Sequence, residues 1–354
     1  MESLKFFTIG DLRHWIDTGE PAEGLSEAVI TKTRAFSFVH NPYVTDDMPV
    51  VSALYVEGEL AAFTAAFPER LQKPACYTHW FNSLYVAPKY EGRGYGLFVL
   101  GSLMECYEND PVFDLDAVDT SVEILSYLGL TSNSFTNHLF RNKSINKKSI
   151  KGKMAFIANG IKTYFDSHES ISHLKQKIAR ASYQLRYSNF VDKEAYDFIV
   201  AHSKDNVFLR SQETLNWMLR YPFVNEAPVL SRTPKDNLFS SDKQFQRYYV
   251  VKVYEKEWLI GFYILCNSST QLTLEYLYFE DDFENQVQLS VLENIIKINN
   301  DRFSTTNGNL AKMIQDNHLY SIYKPCNTSF CYSLKNDEFK KQSIQGGDGD
   351  MFLN

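Results

Sequence analysis

The stretch from Tyr77 to Leu103 constrains the fold more than any other part of the chain. A run of strand-forming residues, 77–86, leads to Pro88, which stops a strand because it supplies no N–H to the ladder. Three alternating glycines come next: Gly92, Gly94 and Gly96. Without Cβ atoms, their backbone N–H groups can crowd toward one point, and the apolar helix predicted over 97–103 adds the positive end of its dipole. The sequence therefore predicts a strand, a turn suited to a pyrophosphate, and a helix.

The order of these glycines excludes two common phosphate-binding motifs. A dinucleotide fingerprint requires G-x-G-x-x-G, but the third glycine position is Leu97 when the motif starts at Gly92 and Val99 when it starts at Gly94. A phosphate-loop NTPase requires Gly-Lys-Ser/Thr after the loop, and this segment lacks it. The structural alternative is a strand, turn and helix that bind no ligand.

The segment Val86-Ala87-Pro88 followed by Gly94-x-Gly96 resembles the acetyl-CoA loop of the GNAT N-acetyltransferases. The family pattern is a strand, Val-x-Pro, Gln/Arg-x-x-Gly-x-Gly/Ala and a helix. Glu91 departs from it, because a carboxylate near a pyrophosphate is unfavourable unless it points into solvent, whereas Arg93 can supply positive charge. The resemblance covers residues 1–143 and implies acetyl-CoA (coenzyme A) as the cofactor. The residues that it implies for cofactor binding lie on the strand and in the loop: Leu84, Tyr85, Val86, Glu91, Gly92, Arg93, Gly94, Tyr95 and Gly96.

The elements predicted in the first half follow the order of the GNAT fold. Besides 77–86, strands are predicted at 4–9, 50–56, 60–67 and 113–118, and helices at 25–39 and 121–128. Asp11 is predicted to cap a short first helix, and Glu57-Gly58 to form a hairpin turn. The resemblance implies an α/β (α+β) fold with a mixed, mainly antiparallel twisted sheet flanked by helices. In that fold the fourth and fifth strands splay apart, and the pantetheine arm enters the gap.

The second half repeats the first in weakened form. Residues 215–224 can be aligned with 35–44, 257–262 with 58–63, and 277–279 with 84–86. Continuing this alignment sets Val287 and Leu289 opposite Gly94 and Gly96, so only the first unit is predicted to bind the cofactor. The predicted organisation is a tandem: a GNAT acetyl-CoA-binding domain at 1–143, a basic and helical linker at 144–180, a degenerate GNAT-like domain at 181–340, and a disordered tail at 341–354.

Catalytic residues are less clearly marked than the cofactor loop. Many GNAT enzymes use a tyrosine as general acid four residues before a helix-ending glycine, but here that position is Leu125, and Tyr127 is displaced by two. Residues 77–86 contain no carboxylate, so His79 and Asn82 are the candidates for proton transfer or positioning on this strand. Strict alternation sets His79 on one face with Phe81, Ser83 and Tyr85, and Asn82 on the other. A structural role is the alternative for each. Further candidates lie near the fifth strand: Asp114, Asp116 and Asp119.

Bulk composition narrows the class of protein. The chain has 354 residues and a net charge of −7, which argues against a general nucleic-acid binder. The start Met1-Glu2-Ser3 is unlike a signal peptide, and no apolar run is long enough to cross a bilayer, so no membrane partner is expected. The five cysteines are scattered without metal-ligand spacing, which predicts reduced thiols, no metal and a cytoplasmic location.

The function that fits best at this stage is an acetyl-CoA-dependent N-acetyltransferase. It would transfer an acetyl group directly to a primary amine of a small molecule, amino sugar or peptide. Two alternatives stay open. One is an aminoacyl transferase resembling the FemABX proteins, which use charged tRNA and have no need of the glycine loop. The other is an acyl-CoA-binding or regulatory protein that has lost catalysis.

Overall fold

The computed structural model describes residues 1–108, 110–117, 119–142, 171–223, 245–334 and 342–349. The first half contains β1 (Glu2–Thr8), α1 (Ile9–Thr18), α2 (Lys32–Val39), β2 (Pro49–Val56), β3 (Glu59–Lys73), β4 (Cys76–Val86), α3 (Tyr95–Glu105), β5 (Val112–Ala117), α4 (Asp119–Tyr127) and β6 (Thr131–Arg141). The second half contains α5 (171–180), β7 (Gln184–Ser188), α6 (Lys193–Ala201), β8 (Leu209–Arg210), α7 (Gln212–Arg220), β9 (Gln246–Glu255), β10 (Trp258–Ser268), β11 (Leu272–Phe279), α8 (Glu284–Ile298), β12 (Arg302–Thr305), α9 (Gly308–Asp316) and β13 (Ile322–Tyr332). Of the predicted basic and helical linker, 144–180, residues 144–170 lie outside the described residues, and 171–180 form α5.

The described strands form one continuous sheet. Its order is β1-β2-β3-β4-β5-β13-β6-β12-β11-β10-β9-β7, and β8 adds to β3. Neighbours are antiparallel except for β4 with β5 and β11 with β12, which are parallel. This is the mixed, mainly antiparallel sheet that the sequence predicts. The hairpin prediction is also confirmed, since β2 and β3 pair around Glu57 and Gly58, both with positive φ.

The two halves are joined by an exchange of strands. β6 belongs to the first half but pairs with β12 and β13 of the second, and β13 pairs in turn with β5 of the first. β6 and β13 pair with each other in eleven positions, from Ile322 opposite Arg141 to Tyr332 opposite Thr131. The sequence analysis missed β6 because its residues are mostly polar and alternate without a clear apolar face. The predicted division into domains stays a prediction, and β6 connects the sheet across it.

Helix boundaries differ from the sequence prediction in two places. Thr8 is the N-cap of α1, and Asp11 lies inside the helix, where its carboxylate accepts from the Thr8 N–H at 2.8 Å and completes a capping box. The helix predicted over 25–39 begins only at Lys32, because Thr31 caps it by accepting from the Arg34 N–H.

The helices cover the sheet in three groups. α1, α2, α6 and α7 lie on one face, over a core that draws residues from both halves, including Phe63, Trp80, Phe262 and Phe330. α3 and α4 cover the opposite face of the first half, and α5, α8 and α9 cover that face of the second. The glycine loop before α3 and the core helices α1 and α2 are therefore on opposite sides of β4.

The expectation of a disordered tail is wrong for residues 342–349. Ile344 and Asp348 are buried, and the N–H of Gly347 donates to the carbonyl O of Glu275 at 2.8 Å. The glycines that suggested disorder instead allow close packing, because a Cβ on Gly346 would lie 2.5 Å from the carbonyl O of Leu274. Among the described residues, no helix has the length and apolar character required to cross a membrane.

Candidate functional site

A gap opens between β4 and β5 directly below the glycine loop. The two strands pair only where His79, Trp80 and Phe81 face Val112, Phe113 and Asp114. β4 continues to Val86 and keeps its pairing with β3 to the end, where Val86 lies opposite Ala62. The N–H of Ala87 donates to Ala61 of β3, so by alternation the backbone groups of Leu84 and Val86 point into the gap. This is the splay that the resemblance implies.

Asn82 lies at a β-bulge where the gap begins. Ala65 pairs with Ser83 and Ala66 with Phe81, so Asn82 has no partner residue on β3. The predicted alternation of side chains is therefore wrong beyond Phe81. Phe81 and Leu84 pack together on the α3 face, whereas Trp80 and Tyr85 belong to the core on the other face. A bulge shifts the period by one residue, which pattern analysis of a single strand cannot detect.

The side-chain amide of Asn82 has no hydrogen-bond partner among the described residues. Both its nitrogen and its oxygen are buried. Burying a polar group without a partner costs about 1–3 kcal/mol, so such groups usually have a ligand, a water or a functional reason. An amide offers one acceptor and two donor positions, which match a ligand carrying both a carbonyl and an N–H group.

The glycine loop leaves open space above its backbone. Gly92 and Gly94 have φ of +75° and +79°, and a Cβ built on either would meet no atom within 4 Å. Gly94 is also the N-cap of α3, and no side chain caps that helix end. The first N–H groups of α3 are thus available to an anion, as are those of any helix without a cap. The predicted loop geometry therefore suits a pyrophosphate.

Gly96 has a different role from the other two glycines. It is buried, and a Cβ there would lie 3.2 Å from a methyl group of Val86 and 3.5 Å from Ile124. Its small size allows the start of α3 to pack closely on the end of β4. This close packing brings the helix N-terminus to the mouth of the gap.

The charged groups around the loop are exposed or contact neighbouring side chains. Glu91 is exposed, Arg93 lies over the ring of Tyr90, and Lys89 forms an ion pair with Glu59. The hydroxyl of Tyr95 donates to the carboxylate of Glu2. No acidic residue lies in the first turn of α3. Because the Glu91 carboxylate is exposed to solvent, it is compatible with a bound pyrophosphate.

The second half has the gap but lacks the loop. β11 and β12 pair at only two positions before they diverge, and Glu275 forms a bulge equivalent to Asn82. A 3-10 turn at Asp281–Phe283 then runs directly into α8 at Glu284. In the first half, four residues separate the corresponding turn, Pro88–Tyr90, from α3.

The alignment of Gly94 and Gly96 with Val287 and Leu289 is therefore wrong. Both of the latter lie inside α8, and the loop itself is absent. Val287 packs so closely on Gly261 of β10 that a Cβ on this glycine would lie 2.3 Å from it. The second half thus has four fewer residues between turn and helix, and its helix packs tightly on β10.

His79 lies below the gap, at the paired end of β4. It is 2% exposed, its ring stacks on Tyr107 with centroids 3.5 Å apart, and its Nε2 lies 3.2 Å from an Asp110 oxygen. Burial lowers the pKa of His79 to about 4, and the hydrogen bond and charge of Asp110 offset only part of this effect. A cavity of about 260 Å³ borders this end of the strand. Three residues, or roughly 10 Å, separate His79 from Asn82 along the strand, so its role in proton transfer stays a prediction.

Tyr127 lies at the end of α4 and is 85% exposed. Leu125, which occupies the position of the tyrosine in the family pattern, is fully buried. The two residues face different sides of the helix, as the spacing predicts. The role of Tyr127 as general acid also stays a prediction, and its position in solvent does not favour it.

Arg34 is a residue of the site that the sequence analysis missed. It is buried on α2, and its guanidinium donates to Ser83 Oγ at 2.9 Å. The same guanidinium lies 4.7 Å from the ring centroid of Phe223. A single arginine in a helical pattern carries no signal of this kind, because the contact joins residues 49 positions apart. Among the described residues, no cluster of three or more His, Cys, Asp or Glu could hold a metal ion.

Neither a family model nor a curated protein matches the sequence, so the chain is compared with solved structures by its fold. A candidate acetyltransferase from Pyrococcus horikoshii aligns with a TM-score of 0.52 and 10% identity over 98% of this chain and 95% of its own. A GCN5-related glucosamine N-acetyltransferase region in a fungal multi-domain β-N-acetylglucosaminidase gives 0.50 and 8% over 94% of this chain and 38% of that one. A tandem GNAT protein from the clavulanic acid biosynthesis pathway gives 0.46 and 9% over 95% and 100%.

These identities are low, so the likeness concerns the fold. The mixed sheet, the gap between β4 and β5 and the glycine loop before α3 are the features that the resemblance implies. The predicted resemblance is confirmed at this level. The chain has the fold of these GCN5-related N-acetyltransferase (GNAT) structures.

Proposed function

We propose that the protein is an acyl-CoA-dependent N-acyltransferase whose cofactor site lies in the first half, within residues 1–143. The observation that carries this proposal is the open loop at Gly92 and Gly94, which stands at the mouth of the gap beside β4. The second half has no such loop between its turn and α8. We therefore expect one acyl-CoA per chain, with acetyl-CoA as the first cofactor to test.

In this proposal the loop binds one part of the cofactor and the strand β4 another. The N–H groups at the start of α3 bind the pyrophosphate, and Arg93 adds positive charge beside it. The backbone of Leu84 and Val86 pairs with the pantetheine arm, as a β-edge pairs with an extended ligand. Tyr85 lines the arm from the other face, where its ring stacks on Phe63 at 5.4 Å. Bound acyl-CoA supplies an activated thioester.

Asn82 is our candidate for orienting the reacting end. Its buried amide lies at the start of the gap, and its N–H groups can donate to a carbonyl oxygen that gains negative charge during transfer. In the reaction a C–N bond replaces the C–S bond. The amine gives up one proton, and the departing sulfur takes one. We assign neither proton to His79, because its pKa of about 4 makes it a weak base and it lies below the gap.

The acceptor in this proposal is a primary amine. One solved structure with this fold, the fungal region described above, carries glucosamine in its name. We include glucosamine in the acceptor panel for this reason, together with ethanolamine and a lysine-containing tripeptide.

A second function, acyl-CoA binding without catalysis, is favoured by one observation. The position of the usual acid holds buried Leu125, and the nearest tyrosine, Tyr127, is exposed. Calorimetry with acetyl-CoA and release of free CoA thiol in the presence of each amine separate the functions. Binding with thiol release supports transfer, and binding without release supports the non-catalytic protein. If acetyl-CoA does not bind, both functions are contradicted. That result favours a transferase of the FemABX type, which aminoacyl-tRNA then tests.

A further inference from the structure

The cavity of about 260 Å³ beside His79 lies at the end of α3 opposite the glycine loop. Its walls include Tyr77 and His79 at the start of β4 and the turn between α3 and β5. The eleven residues of α3, or about 16 Å, separate this turn from Gly94. The cavity is therefore distinct from the gap that the cofactor is proposed to enter.

A small molecule can enter this cavity from solvent. Cys106 and Glu108 on its wall are exposed, and the side chain of Asp110 is 41% exposed. His79 is only 2% exposed and forms part of the inner wall. At about 30 Å³ for each water-sized group, the volume suits a ligand of about eight non-hydrogen atoms.

The described side chains around the cavity already use their hydrogen-bond donors. The hydroxyls of Tyr77 and Tyr107 donate to backbone carbonyls at 2.8 and 3.1 Å, and the Cys106 thiol donates to another at 3.4 Å. His79 Nε2 lies 3.2 Å from an Asp110 oxygen, and because a carboxylate only accepts, this nitrogen carries the hydrogen. These side chains therefore have no donor left for a ligand.

Acceptors on the same wall are still available. Burial lowers the pKa of His79 to about 4, so its ring is neutral near pH 7 and Nδ1 is an acceptor. This Nδ1 is buried and has no partner among the described residues. Glu108 and Asp110 add carboxylate oxygens nearer the opening. The wall thus offers a ligand acceptors and negative charge.

The end of α3 favours a cation further. Its last carbonyl groups carry the negative end of the helix dipole, and its last turn contains no basic residue. Among the described residues, no Lys or Arg lines the cavity. Met48 and the rings of Tyr77 and Tyr107 supply apolar wall. A cation with N–H donors and a short carbon chain fits this combination.

We propose that this cavity binds a small primary ammonium ion, with its N–H groups toward His79 and Asp110 and its carbon chain against Met48. An ammonium group has three donors, whereas a quaternary ammonium ion has none and an alcohol has one. A metal ion fits less well, because no three His, Cys, Asp or Glu side chains among the described residues lie close enough to hold one. The inference goes beyond the proposed function and does not rest on it.

The test follows the methyl group of Met48, which lines the cavity, by NMR. Protein with isotope-labelled methionine methyl groups is titrated without acetyl-CoA, and Met48→Leu assigns the resonance. The probes are butylammonium, butyltrimethylammonium and n-butanol. The first has charge and N–H donors, the second has charge alone, and the third is neutral.

Charge-neutralising variants then locate the site. Asp110→Asn removes a charge but keeps an oxygen that can accept from His79, and Glu108→Gln removes a charge from an exposed side chain. Glu105→Gln is the matched control, because it removes the same charge from an exposed residue of α3 that does not line the cavity.

Butylammonium should shift the Met48 methyl resonance with a Kd in the millimolar range. The other two probes should bind at least about tenfold more weakly, since each lacks part of a charge-assisted hydrogen bond. Asp110→Asn should raise the Kd for butylammonium by about tenfold and Glu108→Gln by about threefold, because the second carboxylate is more exposed. Glu105→Gln should leave the Kd unchanged.

Three results would overturn the inference. A Met48 resonance that does not shift with butylammonium shows that the cavity is not an ammonium site. Equal affinity for butyltrimethylammonium shows that N–H donors are not recognised. A Kd that rises as much in Glu105→Gln as in Asp110→Asn and Glu108→Gln shows a response to surface charge alone. Acetyl-CoA affinity is measured separately, so none of these results changes the proposed function.

Discussion

Replacing Gly94 with valine tests whether the loop before α3 binds a pyrophosphate. No protein atom lies within 4 Å of the Cβ position, so the side chain enters open space and causes no clash in the folded protein. The remaining cost is backbone strain, because φ is +79°, and a non-glycine residue in this region costs about 1–3 kcal/mol. The fold should therefore survive, while the space above the loop is filled.

The magnitude follows from the hydrogen bonds that the valine displaces. A hydrogen bond to a charged group contributes about 1.5–3 kcal/mol, and a branched side chain at Gly94 keeps a phosphate from at least two N–H groups. A loss of about 3 kcal/mol or more corresponds to a Kd for acetyl-CoA at least about 100-fold higher. Gly94→Ala should give a smaller loss, because it fills less of the same space.

Gly19 provides a matched control. It follows α1, its φ is +81°, and its Cβ position is also free of atoms within 4 Å. Gly19→Val thus carries similar strain far from the loop. Isothermal titration calorimetry should show weak or absent binding for Gly94→Val and wild-type binding for Gly19→Val, with similar losses of melting temperature. Equal acetyl-CoA affinity in all three proteins would refute the assignment of the loop.

Three further predictions concern buried polar groups. Asn82→Leu should raise the free energy of unfolding of the ligand-free protein by about 1–2 kcal/mol, because it removes two buried polar atoms that lack partners. The same variant should bind acetyl-CoA more weakly or turn over more slowly. A destabilised variant with full activity contradicts this prediction. The pKa of His79 is about 4 in the folded protein and about 6.5 in the unfolded chain, so the unfolded state binds more protons between these pH values. The wild-type protein should therefore lose up to about 3 kcal/mol of stability as the pH falls from 6.5 to 4. In His79→Gln this component should be missing from urea unfolding curves, and an unchanged pH profile contradicts the shift. Burial raises the pKa of Asp348 to about 7, so this residue affects the pH dependence of stability with the opposite sign, and stability is lost as the pH rises from about 4 to 7. Asp348→Asn should therefore be more stable than wild type at pH 8. An Asp348→Asn protein that is less stable than wild type at this pH refutes the raised pKa.

The sequence was sufficient for the parts of the fold that depend on local chemistry. The proline and glycines after β4 predict the turn, and the hairpin at Glu57-Gly58 requires the positive φ that both residues adopt. The internal alignment of 277–279 with 84–86 is also supported, because it brings the bulges at Asn82 and Glu275 into register. These features are encoded within a few residues, so a pattern in a single sequence reveals them.

The sequence was insufficient where partners are distant. The exchange of β6 and β13 is a choice of neighbours between polar strands, and nothing local distinguishes one antiparallel partner from another. The same limit hid the contact of Arg34 with Ser83 and the docking of residues 342–349. In that segment, composition suggested disorder, although glycine also permits the closest packing.

In the second half, residues 342–349 lie along the edge of β11 that corresponds to the edge of β4 beside the glycine loop. No glycine loop precedes α8, and Val287 fills the space over Gly261. Residues 342–349 provide donors to Glu275 and Leu277 and continue to Leu115 at the other gap. The two gaps therefore differ in what lies beside them: residues 342–349 line the edge of β11 in the second half, and the glycine loop stands at the mouth of the gap in the first.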